Sequence, residues 1–284
     1  NGFNIYKGKY FSSNNYKKVP IVIAFDLDET LGTFSDLEIL WRSIPSKQKH
    51  QQNFNKLLDL YPEFLRYGIL PVLEFLYNKK KKGVCDKIYI YTNNQCSQEW
   101  CKLIAKYFDY KLGTETELFD QIICAFKINN KIVEVRRTTH NKTHNDFIKC
   151  TLLPSKTKIC FIDNSYFFEM KNDHVYYIQP VSYFHTISPN VIIERFINSS
   201  LFEKSNTNVN SYYSLYNNFL QNEQYFNANL LSEDTPIDLK SQFDILVAQK
   251  MMYHVKEFFY LTQKKMRTKK IRYPIGRFTR KKMS

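Results

Sequence analysis

Glycine is scarce in this 284-residue chain, which contains only seven. Asn, Lys, Tyr, Phe and Ile are abundant instead, a bias typical of an AT-rich genome that says little about chemistry. No run of about 18 uncharged apolar residues occurs, so neither a membrane-spanning helix nor a membrane partner is expected. The six cysteines (Cys85, Cys96, Cys101, Cys124, Cys150 and Cys160) include no C-x-x-C pair, which argues against a zinc ribbon or a thioredoxin-type site. Cys124 and Cys160 lie inside apolar runs, where free cysteine behaves as a small buried hydrophobe. An intracellular, reducing compartment, cytoplasmic or nuclear, is expected. No internal repeat is visible, and residues 264–284 contain no acidic side chain.

Hydrophobic residues make up 43% of the chain and charged residues 24%, a balance that supports a sizeable core and excludes wholesale disorder. The formal charge of +14 is uneven. Ten of the basic residues fall within 264–284, which leaves +4 for the rest, so the basicity belongs to a tail more than to a fold. The expected organisation is an N-terminal arm over 1–19, a main domain over 20–200, a polar segment with an amphipathic C-terminal helix over 201–263, and the basic tail.

Residues 20–25 form a short, apolar, β-branched run, as expected for a fully buried strand. Residues 87–91, 158–162 and 175–178 read the same way, and 118–126 and 131–135 read as strands with a polar turn at Asn129-Asn130. Helices are expected from Ser35 behind a capping box to Glu38, in two pieces over 54–77, over 97–107 and over 144–153. The C-terminal helix is expected to start behind Thr235-Pro236, with Leu239, Phe243, Leu246, Val247, Met251, Val255 and Phe258 on one face. Strands alternating with helices indicate an α/β fold with a parallel sheet.

Three polar clusters each follow an apolar strand immediately: Asp26-Leu27-Asp28-Glu29-Thr30, Thr92-Asn93-Asn94 and Asp163-Asn164-Ser165. Sites in open α/β sheets form at the carboxyl ends of strands, so neighbouring strands would bring these clusters into one crevice. The residue types suit phosphoryl transfer. A carboxylate at 26 is placed to act as nucleophile, and Asp28 to protonate the leaving oxygen and then activate water. Two carboxylates repel a phosphate dianion, which calls for Mg²⁺ held by Asp26, Asp28, Asp163 and Asn164. Thr92 and Asn93, with N–H groups at a helix start, would hold phosphate oxygens. A lysine would neutralise the transferred group, and Lys142 is the candidate, with Arg136, Arg137 and Lys149 as rivals.

The segment 26–31, Asp-Leu-Asp-Glu-Thr-Leu, resembles the first motif of the haloacid dehalogenase superfamily. More narrowly, it is similar to that of the NLI-interacting-factor-like phosphatases, which include the small phosphatases of the RNA polymerase II C-terminal domain. Tyr91-Thr92, Lys142 and Ile162-Asp163-Asn164-Ser165 resemble the second, third and fourth motifs, and Arg66 with residues 71–76 faintly resembles the segment before the second. The resemblance covers residues 20 to about 200. It implies a Rossmann-like parallel sheet with flanking helices, small insertions and a helical C-terminal region. It also implies Mg²⁺ and hydrolysis of a phosphomonoester, a phosphoprotein among the candidates, through Asp26. The metal ligands it implies are Asp26, the main-chain carbonyl of Asp28, and Asn164. Gly32, Asn93-Asn94 and Tyr166 depart from the family's usual residues around the phosphate pocket.

Plainer readings stand beside these. The Asp26/Asp28 pair suits a turn, Thr92 a helix cap, and His140 with His144 two surface histidines rather than metal ligands. The tail over 264–284 reads as a nucleic-acid-binding segment with Tyr273 and Phe278 interleaved, a nuclear-localisation signal, or a solubilising terminus. A catalytically weak nucleic-acid- or partner-binding protein on the same fold is the rival to an enzyme, and a polynucleotide end-phosphatase would combine the two. Residues 36–65 and 110–140 are expected to shape access to the site.

Overall fold

Four apolar runs form the centre of the sheet because their backbones satisfy one another while both faces are covered. The structure is a computed structural model that describes residues 2–11, 19–202, 217 and 237–263. Strands β1 (Asn4–Lys7), β2 (Ile21–Phe25), β3 (Lys87–Tyr91) and β4 (Gln121–Ile123) are followed by a small hairpin of β5 (Lys127–Ile128) and β6 (Lys131–Ile132), and then by β7 (Lys158–Ile162) and β8 (Val175–Gln179). The main sheet has the order β1-β8-β7-β2-β3-β4. All its pairings are parallel except that of β1 with β8. The fold is therefore α/β with a mostly parallel six-stranded sheet and flanking helices.

Residue parity sorts the two faces. Ile23, Phe25, Ile88, Ile90, Cys160 and Ile162 pack into one core with α1 (Ser35–Ser43), α2 (Gln51–Asp59), α3 (Ile69–Lys81) and α4 (Gln98–Leu112). Helices α6 (Pro189–Ile197) and α7 (Ile237–Gln263) cover the same face. The alternate residues Val22, Ala24, Tyr89, Tyr91, Ile159 and Phe161 pack on the other face, against Phe147 and Cys150 of α5 (His144–Thr151).

After the edge strand β1, the chain crosses to β2, adds β3 and β4 on one side, and returns to place β7 and β8 on the other. The strand order thus reverses between β2 and β7, where the loops leaving the two strands diverge and open a crevice.

Several local expectations differ from the structure. The position before α1 is Phe34, which makes no side-chain cap. Glu38 does not close a capping box; its carboxylate meets Arg42 and accepts from Cys96 Sγ. Residues 4–7 of the expected arm add an edge strand. The run 118–126 is divided, because only 121–123 pairs with β3 while 127–128 turns into the hairpin. Asn129 and Asn130 take φ of 48° and 61°, the geometry of a two-residue hairpin turn. Helix α4 runs past Tyr107 to Leu112 and ends at Gly113.

On α7, Val247, Met251, Val255 and Phe258 are buried, but Leu239, Phe243 and Leu246 are about half exposed. The expected apolar face is therefore covered only along its C-terminal half. Gly68 has a φ of +74° and a Cβ there would lie 2.6 Å from Ala248 Cβ, so this glycine lets α7 approach the start of α3. Apart from residue 217, the polar segment 205–234, the cap at Thr235-Pro236 and the tail 264–284 lie outside the described residues. Among the described residues, no helix is long and apolar enough to cross a membrane, and all six cysteines are free.

Candidate active site

Three residues stand one position beyond their strands, yet each is still held by the sheet. Asp26 N donates to Ile162 O (2.8 Å), Asp163 N to Ile178 O (3.1 Å) and Thr92 N to Ile123 O (3.0 Å). These bonds extend the parallel ladders past the last strand residue and hold the three side chains at the same rim. The rim is the reversal point of the strand order, and Phe25 is in register with Ile162.

Lys142 closes the arrangement. Its ammonium is buried and forms ion pairs with both Asp26 Oδ1 and Asp163 Oδ2, the latter at 2.7 Å. Burial alone would depress the lysine, but the carboxylates of Asp163 and Asp26 outweigh it and hold it above its ordinary value. Asp28 lies alongside, with Asn94 Nδ2 donating to its Oδ2 at 2.7 Å. Burial, reinforced by the charge of Asp26, pushes Asp28 up to about 7. Asp163 is also raised, chiefly by burial, as is Glu29.

The loop carrying Asp28 is fastened to the loop after β7. Thr30 Oγ1 donates to Asn164 Oδ1 (2.8 Å) and accepts from Asn164 N (3.0 Å), while Asn164 Nδ2 donates to Glu29 Oε2 (3.1 Å) and Ser182 Oγ (2.9 Å). Glu29 adopts φ 58°, a left-handed conformation uncommon for a non-glycine residue. Arg66 supports it from below, donating to the carbonyls of Glu29, Thr30 (2.6 Å) and Val181 (2.7 Å). Gly32 is required here because a Cβ would lie 2.4 Å from Phe64 O.

Thr92 is not a helix cap. Its Oγ1 accepts from Asn94 N (2.9 Å), and α4 begins several residues later behind Ser97, which accepts from Trp100 N. The expectation that a helix start supplies the N–H groups around Thr92 and Asn93 is therefore corrected: they belong to a turn. The side-chain oxygen of Asn93 accepts from Arg137 Nη2 (2.7 Å).

The residues expected to form the site, Asp26, Asp28, Thr92, Asn93, Lys142, Asp163 and Asn164, all line one open cleft of about 250 Å³, together with Glu29, Asn94, Ser165 and Phe167. Segments 36–65 and 110–140, expected to shape access, contribute no wall. His140 instead packs edge-on against Phe126, and His144 opens α5. Sequence reasoning singles out neither Glu29 nor Phe167. It offers Arg137 only as a rival to Lys142, because the burial of that arginine depends on two loops distant from it in sequence.

A divalent cation suits this donor set. Among the described residues, Asp26 and Asp163, both buried, and the half-buried Asp28 and Glu29 line a cleft with one cation, Lys142, and a further positive charge would favour their ionised forms. Among the described residues, no three His, Cys, Asp or Glu side chains are spaced to hold a metal by themselves. The set would have to be completed by amide, main-chain, water and phosphate oxygens, which is how Mg²⁺ is commonly held. Comparison with models of protein families, with curated proteins and with solved structures finds no significant match to this chain.

Proposed function

We propose that this protein is a Mg²⁺-dependent phosphomonoester hydrolase that works through an aspartyl-phosphate on Asp26, with a protein phosphoserine or phosphothreonine among its candidate substrates. The observation that carries the reading is the Lys142 ammonium held between Asp26 and Asp163 at the rim where three strand ends meet. The reversal of strand order between β2 and β7 supports calling the sheet Rossmann-like.

In this reading an Asp26 oxygen attacks phosphorus as the bond from phosphorus to the leaving oxygen breaks. Asp28, raised to about 7 and therefore substantially protonated near neutrality, gives its proton to that oxygen. The resulting Asp28 carboxylate then takes a proton from the water that hydrolyses the acyl phosphate, returning both residues to their starting state. Lys142 balances charge on the transferred group. Thr92 Oγ1 and Asn93 hold its oxygens, since the N–H groups of Thr92 and Asn94 are engaged by Ile123 O and Thr92 Oγ1. Asp26, Asp163, Asn164 and the main-chain carbonyl of Asp28 are the residues that would hold Mg²⁺, whose chemistry is to neutralise the dianion facing the carboxylates.

The test is hydrolysis of a generic aryl phosphate with Mg²⁺, with chelator, and by Asp26→Asn. Activity lost under both changes supports the reading. Turnover that survives Asp26→Asn removes the nucleophile, and inactivity on every phosphomonoester removes the enzyme.

A further inference from the structure

Arg137 is about 2% exposed, and a guanidinium does not lose its proton in a protein. Buried charges are ordinarily paired with an opposite charge, because an unpaired one carries a large desolvation penalty. Arg137 is different. Its hydrogen-bond partners are all uncharged oxygens: Nη1 donates to Thr92 O (3.0 Å) and Cys124 O (2.8 Å), and Nη2 to Asn93 Oδ1 (2.7 Å), His140 O (3.0 Å) and Asn141 O (3.3 Å). Its Nε is buried without a partner among the described residues, and the group lies 4.9 Å from the centre of the Tyr91 ring.

Those acceptors belong to three segments around the cleft, with Cys124 just beyond β4. Thr92 and Asn93 form the turn after β3, and His140 and Asn141 immediately precede Lys142. The far end of the lysine loop is pinned independently, since Asp146 accepts from Thr138 N (2.8 Å) and Thr143 N donates to Tyr91 Oη (3.2 Å). The planar fork of Arg137 therefore bridges the turn that would hold phosphate oxygens and the backbone just before the lysine that would neutralise them.

Resting on the phosphatase reading above, we propose that Arg137 is a positioning residue. Its guanidinium sets the gap between the Thr92–Asn93 turn and Lys142. Among the described residues its charge forms no direct ion pair with a carboxylate, although the charges of Arg137 and Asp146 both bear on Tyr91, and it adds to the positive field that favours the phosphate dianion bound there. A lysine supplies a point charge but cannot span five carbonyl and amide oxygens in three segments. Charge and geometry are therefore separable by substitution.

The experiment measures Kd for inorganic phosphate with Mg²⁺, kcat and KM for an aryl phosphate, and thermal stability, on wild type, Arg137→Met and Arg137→Lys. Arg137→Met should weaken phosphate binding about 10-fold and lower kcat about 100-fold, the scale of a misplacement near 1 Å. Arg137→Lys should recover phosphate affinity to within about threefold while kcat stays depressed. Wild-type Kd and kcat in Arg137→Met, even with a lowered Tm, overturn the proposal, because a merely structural arginine would behave that way. If Arg137→Met does not fold, a double-mutant cycle of Asn93→Ala with Arg137→Lys on kcat decides: coupling supports the clamp and additivity overturns it. A wild-type protein that neither hydrolyses aryl phosphate nor binds phosphate ends the phosphatase reading and this inference together. An active wild type with indifferent variants ends the inference alone.

Discussion

Asp28 is subject to opposing demands. Its carboxyl is held at about 7 against an ordinary 3.8, first by burial and then by Asp26. The folded state therefore binds a proton between about pH 4 and 7 that the unfolded state has released, so stability falls as pH rises through that window and the loss is complete above it. Asp28→Asn removes the charge while leaving an oxygen to accept from Asn94. In the absence of Mg²⁺ at pH 8 the variant should melt at a higher temperature than wild type, and at pH 4 the difference should vanish; thermal denaturation at the two pH values checks this. The same substitution should lower kcat by about 10²- to 10⁴-fold, the usual contribution of a general acid–base. For wild type, kcat/KM should fall as pH rises through the Asp28 pKa, because the proton donor is lost. An aryl phosphate with a very acidic leaving group should flatten that fall.

At the scale of elements, the fold depends on how α7 seals one face of the sheet. Phe258 is fully buried and its ring packs on Tyr176, Phe11 and Phe259. Polar contacts add to this seal: Tyr176 Oη donates to Glu257 (2.5 Å), and Lys7 pairs with Glu257 (2.7 Å), linking β1, β8 and α7. Phe258→Ala should cost about 3–5 kcal/mol, measured by urea denaturation. Gly68→Ala combines a left-handed φ with a clash against Ala248, and should cost about 1–3 kcal/mol. Because Arg66, two residues earlier, supports the Glu29–Thr30 backbone, Gly68→Ala should also reduce turnover, which separates it from Phe258→Ala at permissive temperature.

At the scale of the whole molecule, charge and chemistry are separated along the chain. Ten of the basic residues lie in 264–284, whereas the cleft is lined by residues between Asp26 and Phe167. Deletion of 264–284 should leave aryl-phosphate turnover unchanged. It should also shift elution from heparin to lower salt, since a chain with fewer Lys and Arg displaces fewer counterions from a polyanion. A deletion that abolishes turnover would instead tie the tail to the site.

The strands 21–25, 87–91, 158–162 and 175–179 were legible in the sequence because a doubly covered strand must be short, apolar and β-branched over its own length, a purely local signature. Asp26, Thr92 and Asp163 were legible for the same reason, since each is the next position after a readable strand. The sequence alone did not reveal the apolar stripe left half exposed on α7, the edge strand at Asn4–Lys7, the division of 118–126, or the failure of Ser35 and Glu38 to cap α1 as a box. Each of these depends on which neighbour a segment meets, and hydrogen bonds from distant loops outweigh local propensity. Arg137 shows the difference most clearly: in sequence it is one of two adjacent arginines. Only the meeting of β3, β4 and the lysine loop makes it a buried cation surrounded by carbonyl oxygens, because burial and hydrogen-bond partners are properties of the packed chain.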